Sequence, residues 1–304
     1  MTKINVQKLH SLSGHQDCVY TLQTGAEPHV FYSAGGDGVV ACWDMRDPEN
    51  GQLLAKMKNS VYALHLIGEK NLLVVGQNFE GIHLIDTTHH TEVASLKISD
   101  AQIFDIKSHG NVLYVCSGDG TLYLVDLPNL VFIKKIKLAD KSIRAMAINP
   151  MLDELALGLS DNSIRILDLK DHKQKYGFEA HKLSVFDVQY NPHNNHLISV
   201  GRDAQIRSWD AIDHYAPGVA IPAHMYAINS LSISPDKKYF VTGSMDKSIK
   251  VWELDSYRLL KVIDKSRHAG HATSVNKVLW TSHHNQVLSG SDDKKISIWD
   301  LSFI

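Results

Sequence analysis

Histidine, serine or threonine, aspartate and tryptophan recur together four times in this 304-residue chain, at offsets of 0, 18, 22 and 28 residues. The sets are His15/Ser33/Asp37/Trp43, His181/Ser199/Asp203/Trp209, His224/Thr242/Asp246/Trp252 and His271/Ser289/Asp293/Trp299. A hydroxyl, an imidazole and a carboxylate at fixed geometry are the parts of an activated nucleophile: the imidazole takes the hydroxyl proton and the carboxylate orients the imidazole. Four copies of one catalytic site are hard to rationalise, however. A shared four-point spacing fits one supersecondary unit, reused with its loops tied the same way each time. No Gly-x-Ser-x-Gly, phosphate-binding loop or His-Glu-x-x-His segment accompanies the sets.

The elements that must position these residues follow from the repeat. Each set ends in Trp-Asp or Trp-Glu, and three degenerate copies lie between the first two: Ile85-Asp86, Val125-Asp126 and Leu167-Asp168. The seven positions are 42, 40, 42, 42, 43 and 47 residues apart. A period of this length, with His early and Trp-Asp late, marks a propeller blade of four strands. The strand pattern agrees. Ile228–Ile233, Tyr239–Thr242, Ser248–Trp252 and Arg258–Val262 are short β-rich runs separated by turn residues. Asp37-Gly38 and Asp119-Gly120 suit tight hairpins.

On these residues the chain resembles the WD-repeat proteins, with seven repeats covering essentially all of it. The resemblance implies an all-β fold: one domain over residues 1–304, a seven-bladed β-propeller of four-stranded antiparallel blades. It also implies that each tetrad is a buried hydrogen-bond chain from Trp to Ser/Thr to His to Asp, so the tetrad residues are structural. The degenerate repeats fit that view. They carry Met57/Val75/Phe79/Ile85, Ser99/Val115/Asp119/Val125 and Ala139/Leu157/Asp161/Leu167. An aliphatic pair replaces Ser and Trp each time, which avoids an unpaired donor in the core. The loops there lack the tetrad tie and are expected to be more mobile. The last repeat has no outer strand, and the strand-like segment Val6–Leu12 is expected to supply it, closing the ring.

A partner site follows from register. The residue five places after each tetrad His, and its equivalent in the other repeats, reads Tyr20, Tyr62, Phe104, Arg144, Phe186, Asn229 and Asn276. In a propeller this position lies on the innermost strand, near the channel mouth, and in WD-repeat proteins it commonly touches partners. Aromatics and arginine are the residue types that dominate binding hot spots. Residues preceding the turn aspartates, including Arg202 and Met245, would form a wider circle. Arg144 and Arg202 are suited to grip a carboxylate. The competing reading is that the aromatics only fill gaps between blades.

Composition bounds the rest. The chain is 44% hydrophobic and 21% charged with a net charge of −2, so no whole-protein field recruits nucleic acid. The apolar runs are strand-sized, which excludes a membrane helix. The N-terminus has no apolar signal segment. Cys18, Cys42 and Cys116 make no even framework and read as reduced core residues of a cytoplasmic protein. His89-His90, His193/His196 and His283-His284 lack convergent metal-ligand spacing and read as solvated loops. Lys134-Lys135-Ile136-Lys137 reads as edge-strand protection. Trp43-Asp44-Met45-Arg46 resembles the Trp-Asp-x-Arg element of substrate receptors in cullin-type ubiquitin ligases, but occurs once. The expectation is therefore a non-enzymatic, monomeric scaffold binding a protein or peptide around the channel mouth, with no catalytic residue, cofactor or metal and with neither nucleic acid nor membrane as partner. A ligase substrate receptor is the alternative, and a propeller enzyme a more distant one.

Overall fold

The computed structural model describes residues 4–303, and they form seven four-stranded antiparallel sheets. We number them as blades 1–7 with strands a–d in chain order. Blade 1 is Val19–Thr24, Val30–Gly35, Val39–Asp44 and Gln52–Lys56, and blade 2 is Val61–Ile67, Leu72–Gln77, Gly81–Asp86 and Thr91–Lys97. Blade 3 is Ile103–His109, Val112–Ser117, Thr121–Asp126 and Val131–Lys137. Blade 4 follows as Ile143–Asn149, Glu154–Leu159, Ser163–Asp168 and Gln174–Glu179. Blade 5 is Val185–Tyr190, His196–Gly201, Gln205–Asp210 and Ala216–Pro222, and blade 6 is Ile228–Ile233, Tyr239–Ser244, Ile249–Glu253 and Leu259–Ile263. In blade 7, strands a–c are Val275–Trp280, Val287–Ser291 and Ile296–Phe303. Its outer strand is Ile4–Leu12, which pairs antiparallel with Ile296–Phe303 from Ile4↔Phe303 to Leu12↔Ile296. The N-terminal segment therefore completes blade 7 as expected, and the fold is a seven-bladed β-propeller.

Burial explains why the strands read so differently in the sequence. Strand b of blade 4 is buried at every position, and its run ELALGL is correspondingly almost all apolar. Such a strand has a packed surface on both faces. The outer strand of blade 3, VFIKKIK, is exposed at nearly every position and carries three lysines. Apolar seams run from blade to blade within each of two compact units. One unit comprises the chain up to Ile103 together with the part from Ser230 onward. There Val19, Phe31 and Trp43 pack with Leu288, Ile296 and Ile298, and Tyr32 and Val40 with Val61, Leu73 and Ile85. In the other unit, Phe104–Asn229, Leu122 and Leu124 pack with Ile143, Leu155 and Leu157, and Ile164 and Ile166 with Val185, Leu197 and Trp209. Full burial of each such aliphatic side chain contributes roughly 1.5–3 kcal/mol.

The b–c turns share one backbone device. The residue after the aspartate position has positive φ in six of them, and in blade 2 the aspartate position itself does: Gly38, Phe79, Gly120, Asn162, Ala204, Lys247 and Lys294. At Gly38 and Gly120 the need for glycine is steric as well. A Cβ there would meet the Met57 or Ala139 carbonyl oxygen at 2.5 or 2.0 Å. The other five turns accept a side chain in the left-handed region and bear its cost, about 1–2 kcal/mol for most residues.

Candidate functional site

The tetrads were read first as possible chemistry, and their geometry answers that reading. Trp43 Nε1 donates to Ser33 Oγ at 2.8 Å, Ser33 Oγ lies 2.8 Å from His15 Nε2, and His15 Nδ1 lies 3.1 Å from Asp37 Oδ2. The same chain runs through Trp209, Ser199, His181 and Asp203 at 2.9, 2.8 and 2.9 Å, and through Trp299, Ser289, His271 and Asp293 at 2.8, 2.8 and 2.9 Å. In the remaining set Trp252 Nε1 donates to Thr242 Oγ1 at 2.9 Å. One proton arrangement suits this order. The serine hydroxyl accepts from indole and donates to Nε2, while Nδ1–H donates to the carboxylate. That is the proton arrangement of a nucleophilic triad, but Ser33, Ser199, Thr242 and Ser289 have no exposed surface. A hydroxyl sealed from solvent and already accepting an indole proton cannot attack a substrate. What the chain does is tie loops: Gln16 N–H donates to Asp37 and Lys182 N–H to Asp203, which fastens each d–a loop to the following b–c turn.

The aspartates form the outer end of each chain. Asp37, Asp203, Asp246 and Asp293 are half-buried, whereas the four histidines and four hydroxyls are buried. Each aspartate sits in the b–c turn, yet the Asp37 and Asp203 side chains keep only 6% and 5% exposure and that of Asp293 16%. Each carboxylate also braces its own turn: Asp37 accepts from Val39 N–H, Asp203 from Gln205 N–H and Asp293 from Lys295 N–H, and Asp246 takes a hydroxyl as well. Asp246 Oδ1 accepts from Ser248 N–H at 3.0 Å and from Ser248 Oγ at 2.6 Å, and Asp246 N–H donates to Ser244 Oγ at 3.0 Å. The equivalent Asp161 of blade 4 holds Ser163 in the same way, so the turn-bracing role of this aspartate persists where the tetrad is lost.

The carboxylates respond to this setting. Burial works against ionised Asp293, but hydrogen bonds from His271 and from the Ala272 and Lys295 N–H groups outweigh it and hold the pKa at about 2. Asp37 and Asp203 are likewise held below the ordinary carboxylate range. There, too, burial acts in the opposite sense and hydrogen bonds prevail.

Blades 2–4 lack the tetrad, as their sequences indicate, and blade 2 ties its loop by other side chains. In blade 2 the side chain of Asn78, fully buried, donates to Ser60 Oγ at 2.9 Å and accepts from Ile103 N–H at 2.9 Å. Asn59 Nδ2 donates to the Asn78 carbonyl, and Gln77 Oε1 accepts from Lys58 N–H. The b–c turns of blades 3 and 4 are instead tied to the loop that opens the next blade: Ser142 Oγ donates to the Gly118 carbonyl at 3.1 Å and Ser184 Oγ to that of Ser160 at 3.2 Å. Val75, Ile85, Val115, Val125, Leu157 and Leu167 fill the Ser and Trp positions as fully or almost fully buried aliphatics.

The register-derived site residues share a backbone feature that sequence reasoning missed. Tyr20, Tyr62, Arg144, Phe186 and Asn276 are each the extra residue of a bulge in strand a, passed over between Val19/Thr21, Val61/Ala63, Ile143/Ala145, Val185/Asp187 and Val275/Lys277. A bulge re-aims its side chain out of the ladder, and every one of the seven, Phe104 and Asn229 included, is half-buried. Within the first unit, Tyr20 and Tyr62 meet edge to face at 4.7 Å. Asn276 Nδ2 donates to the Val19 carbonyl at 3.1 Å and to Asp292 at 2.7 Å. Within the second, the Arg144 guanidinium stands 3.9 Å from the Phe104 ring centre and 4.9 Å from that of Phe186. These residues therefore join neighbouring blades and present part of their surface as well. Arg202 and Met245, in the b–c turns, are exposed.

A search of known proteins agrees with this geometry. The profile of the WD domain, G-beta repeat matches residues 6–44, 172–210, 217–253 and 264–300, half of the chain. The chain belongs to this family. The four matched stretches are those that end in the complete tetrads. This WD-repeat chain is 25% identical, over 90% of its own length, to a 66 kDa stress protein of Physarum polycephalum. It is also 21% identical, over 82%, to the protein groucho of Drosophila melanogaster, and 20% identical, over 82%, to transducin-like enhancer protein 2 of Mus musculus. It spans only 45%, 40% and 38% of those relatives. The crystal structure of the WD40 β-propeller domain of Doa1 superposes with a TM-score of 0.85, covering 97% of each chain at 17% identity, which shows the shared fold.

Other sequence signals fall as follows. Among the described residues no group of three or more His, Cys, Asp or Glu side chains is placed to hold a metal. His89 and His90 lie in a c–d turn, and His193, His283 and His284 in a–b loops. Only Cys116 is the buried core thiol the sequence suggested. Cys18 and Cys42 are partly exposed, and Cys18 precedes strand a of blade 1 instead of lying within it. Burial and the adjoining Asp292 push the Cys18 thiol up to about 11, away from a reactive thiolate. The exposed Arg46 turns back on Asp44, with Nη2 2.7 Å and Nε 3.1 Å from Oδ2. Among the described residues no helix is long and apolar enough to cross a membrane.

Sequence reasoning also missed Leu183, Met225 and Tyr226, which are 47%, 82% and 64% exposed. A usable signal existed, since each lies one or two places after a tetrad histidine, on the loop that the tetrad fastens.

Proposed function

We propose that this WD-repeat chain is a non-enzymatic platform that binds a protein or peptide at the end of the blades where the d–a loops and b–c turns lie. One observation carries the reading. Arg144, raised on a strand-a bulge, holds its guanidinium against the Phe104 and Phe186 rings, and all three residues are half-buried. An arginine stacked on aromatic rings joins a cation to apolar surface, the residue types that dominate binding hot spots. The proposal includes a monomeric state and a cytoplasmic address; the free cysteines agree with the latter.

The test is affinity capture from native lysate, comparing the natural chain with Arg144→Glu/Phe186→Ala after melting shows both are folded. A partner recovered by the natural chain and lost by the variant supports the platform. Recovery of the same partners by both moves the interface away from this end.

A further inference from the structure

The most exposed large apolar side chains at the loop end of the second unit stand together with positive charge. The b–c turn of blade 5 is the hub. Arg202 N–H donates to the Ser184 carbonyl at 2.9 Å, joining the turn to the preceding d–a loop, which carries Lys182 and Leu183. On its other side the Ala204 carbonyl accepts from Ala223 N–H at 2.9 Å and His224 N–H at 3.3 Å, joining the turn to the loop that carries Met225 and Tyr226. Five exposed side chains, Lys182, Leu183, Arg202, Met225 and Tyr226, are thus presented by three segments bonded to one another.

The first of these loops is fixed from below. His181 is bonded to Asp203 and Ser199, and Lys182 N–H to Asp203, so the chain arrives at Leu183 with little freedom. Pre-ordered apolar groups bind at lower entropic cost than loops that must be immobilised. The equivalent places after the other tetrad histidines hold Gln16-Asp17 and Ala272-Thr273, which offer no such surface. Charge points to the partner. Lys141, Lys182 and Arg202 lie in the loops and turns at this end of blades 4 and 5, beside the exposed carboxylates Asp140, 3.8 Å from Lys137, and Glu179, so the positive charge gathers on the blade 5 turn and the loop before it. The turn carboxylates are occupied internally: Asp119 by Thr121 N–H and Tyr123 Oη, Asp161 by Ser163, and Asp203 by His181.

We infer that this patch binds a peptide segment in which acidic residues flank a bulky aliphatic or aromatic side chain. Leu183, Met225 and Tyr226 would receive the apolar side chain, with methionine adapting its shape to it, and Lys182 and Arg202 the carboxylates. The inference rests on the platform reading and gives its partner a chemistry.

The test is a selection of random displayed peptides on the full chain, counter-selected against Arg202→Glu/Met225→Ser/Tyr226→Ser. These residues lie outside the Phe104–Arg144–Phe186 stack, and their exposure leaves the fold intact, as melting would verify. The expected result is a consensus pairing Asp or Glu with Leu, Ile, Phe or Trp. A labelled consensus peptide should bind at least ten-fold more weakly to the variant by fluorescence anisotropy, and its affinity should fall with salt. A basic or charge-free consensus, equal binding to the variant, or equal binding of a peptide with its apolar residue replaced by serine would overturn the inference. Partner capture lost in Arg144→Glu/Phe186→Ala but unaffected in the counter-selection variant would leave the platform standing and remove this chemistry.

Discussion

Blades 1 and 2 stand side by side in the first unit and hold the same loop by opposite means. In blade 1 a polar relay passes through the core from Trp43 to Asp37, with Ser33 at its centre. In blade 2 the corresponding core positions are Val75 and Ile85, and the polar tie has moved up to the turn, where Asn78 bonds Ser60 and Ile103. Either solution leaves no buried polar group without a partner at these positions. A mixture of the two would. That explains why Ser and Trp come or go as a pair in this sequence, since a lone buried hydroxyl or indole N–H costs about 1–3 kcal/mol.

The largest expected effect comes from creating such a mixture. Ser33→Ala strands both Trp43 Nε1 and His15 Nε2, and should lower stability by on the order of 2–5 kcal/mol, counting two unpaired buried groups. Val75→Ser commits the reverse error by placing one unmatched hydroxyl in an apolar seam, with a loss of roughly 2–3 kcal/mol. Denaturant unfolding reads both. If Ser33→Ala is neutral, the relay contributes nothing and the two blades do not differ in the way described.

Acid should separate the blades next. Asp293 has its pKa lowered from 3.8 to about 2 in the folded chain, so its contribution is complete above the unfolded value and is lost as pH falls through the folded one. Asp37 and Asp203 act in the same sense. Blade 2 has Phe79 at that position and contributes nothing to this loss. Melting temperature should fall less steeply between about pH 4 and pH 2 in Asp293→Asn than in the natural chain, the window set by those two pKa values. Parallel slopes would show that the tetrad carboxylate is not linked to folding.

The smallest effects lie in the turns. Gly38→Ala forces a Cβ onto the Met57 carbonyl at positive φ and should cost about 1–2 kcal/mol. Phe79→Gly relieves the same backbone in blade 2, offset by glycine's greater unfolded freedom, and should change stability by less than about 1 kcal/mol. Thermal melts of the pair would show whether the two turns differ only in residue type.

Much of this architecture was legible because its causes are local and repeated. The His–Ser–Asp–Trp spacing set the blade length, and the spare strand before His15 indicated how blade 7 is completed. The tie in blade 2 was not legible. Asn78 and Ser60 match no repeated pattern, and their bond exists only because strands a and b bring residues 18 apart together. Spacing placed Asp246 in its tetrad but could not show its bonds to the Ser248 N–H and hydroxyl, because the fold of a turn is not written in an offset. Cys18 was misread for a related reason: it borders the apolar run of strand a but lies in the preceding loop, where packing stops. In the candidate site, register found Tyr20, Tyr62, Phe104, Arg144 and Phe186, but the bulges at four of them were invisible, since a bulge is a relation between two strands.

By itself the sequence determined the number of blades, their strand order and which side chains form each tetrad. These depend on fixed spacings within one chain segment, and a period of two along a strand leaves little choice of face. Tertiary structure alone decided which residues stand together at the loop end. Lys182, Arg202 and Met225 come from three segments that meet only when backbone hydrogen bonds join the turn of one blade to the loops on either side of it.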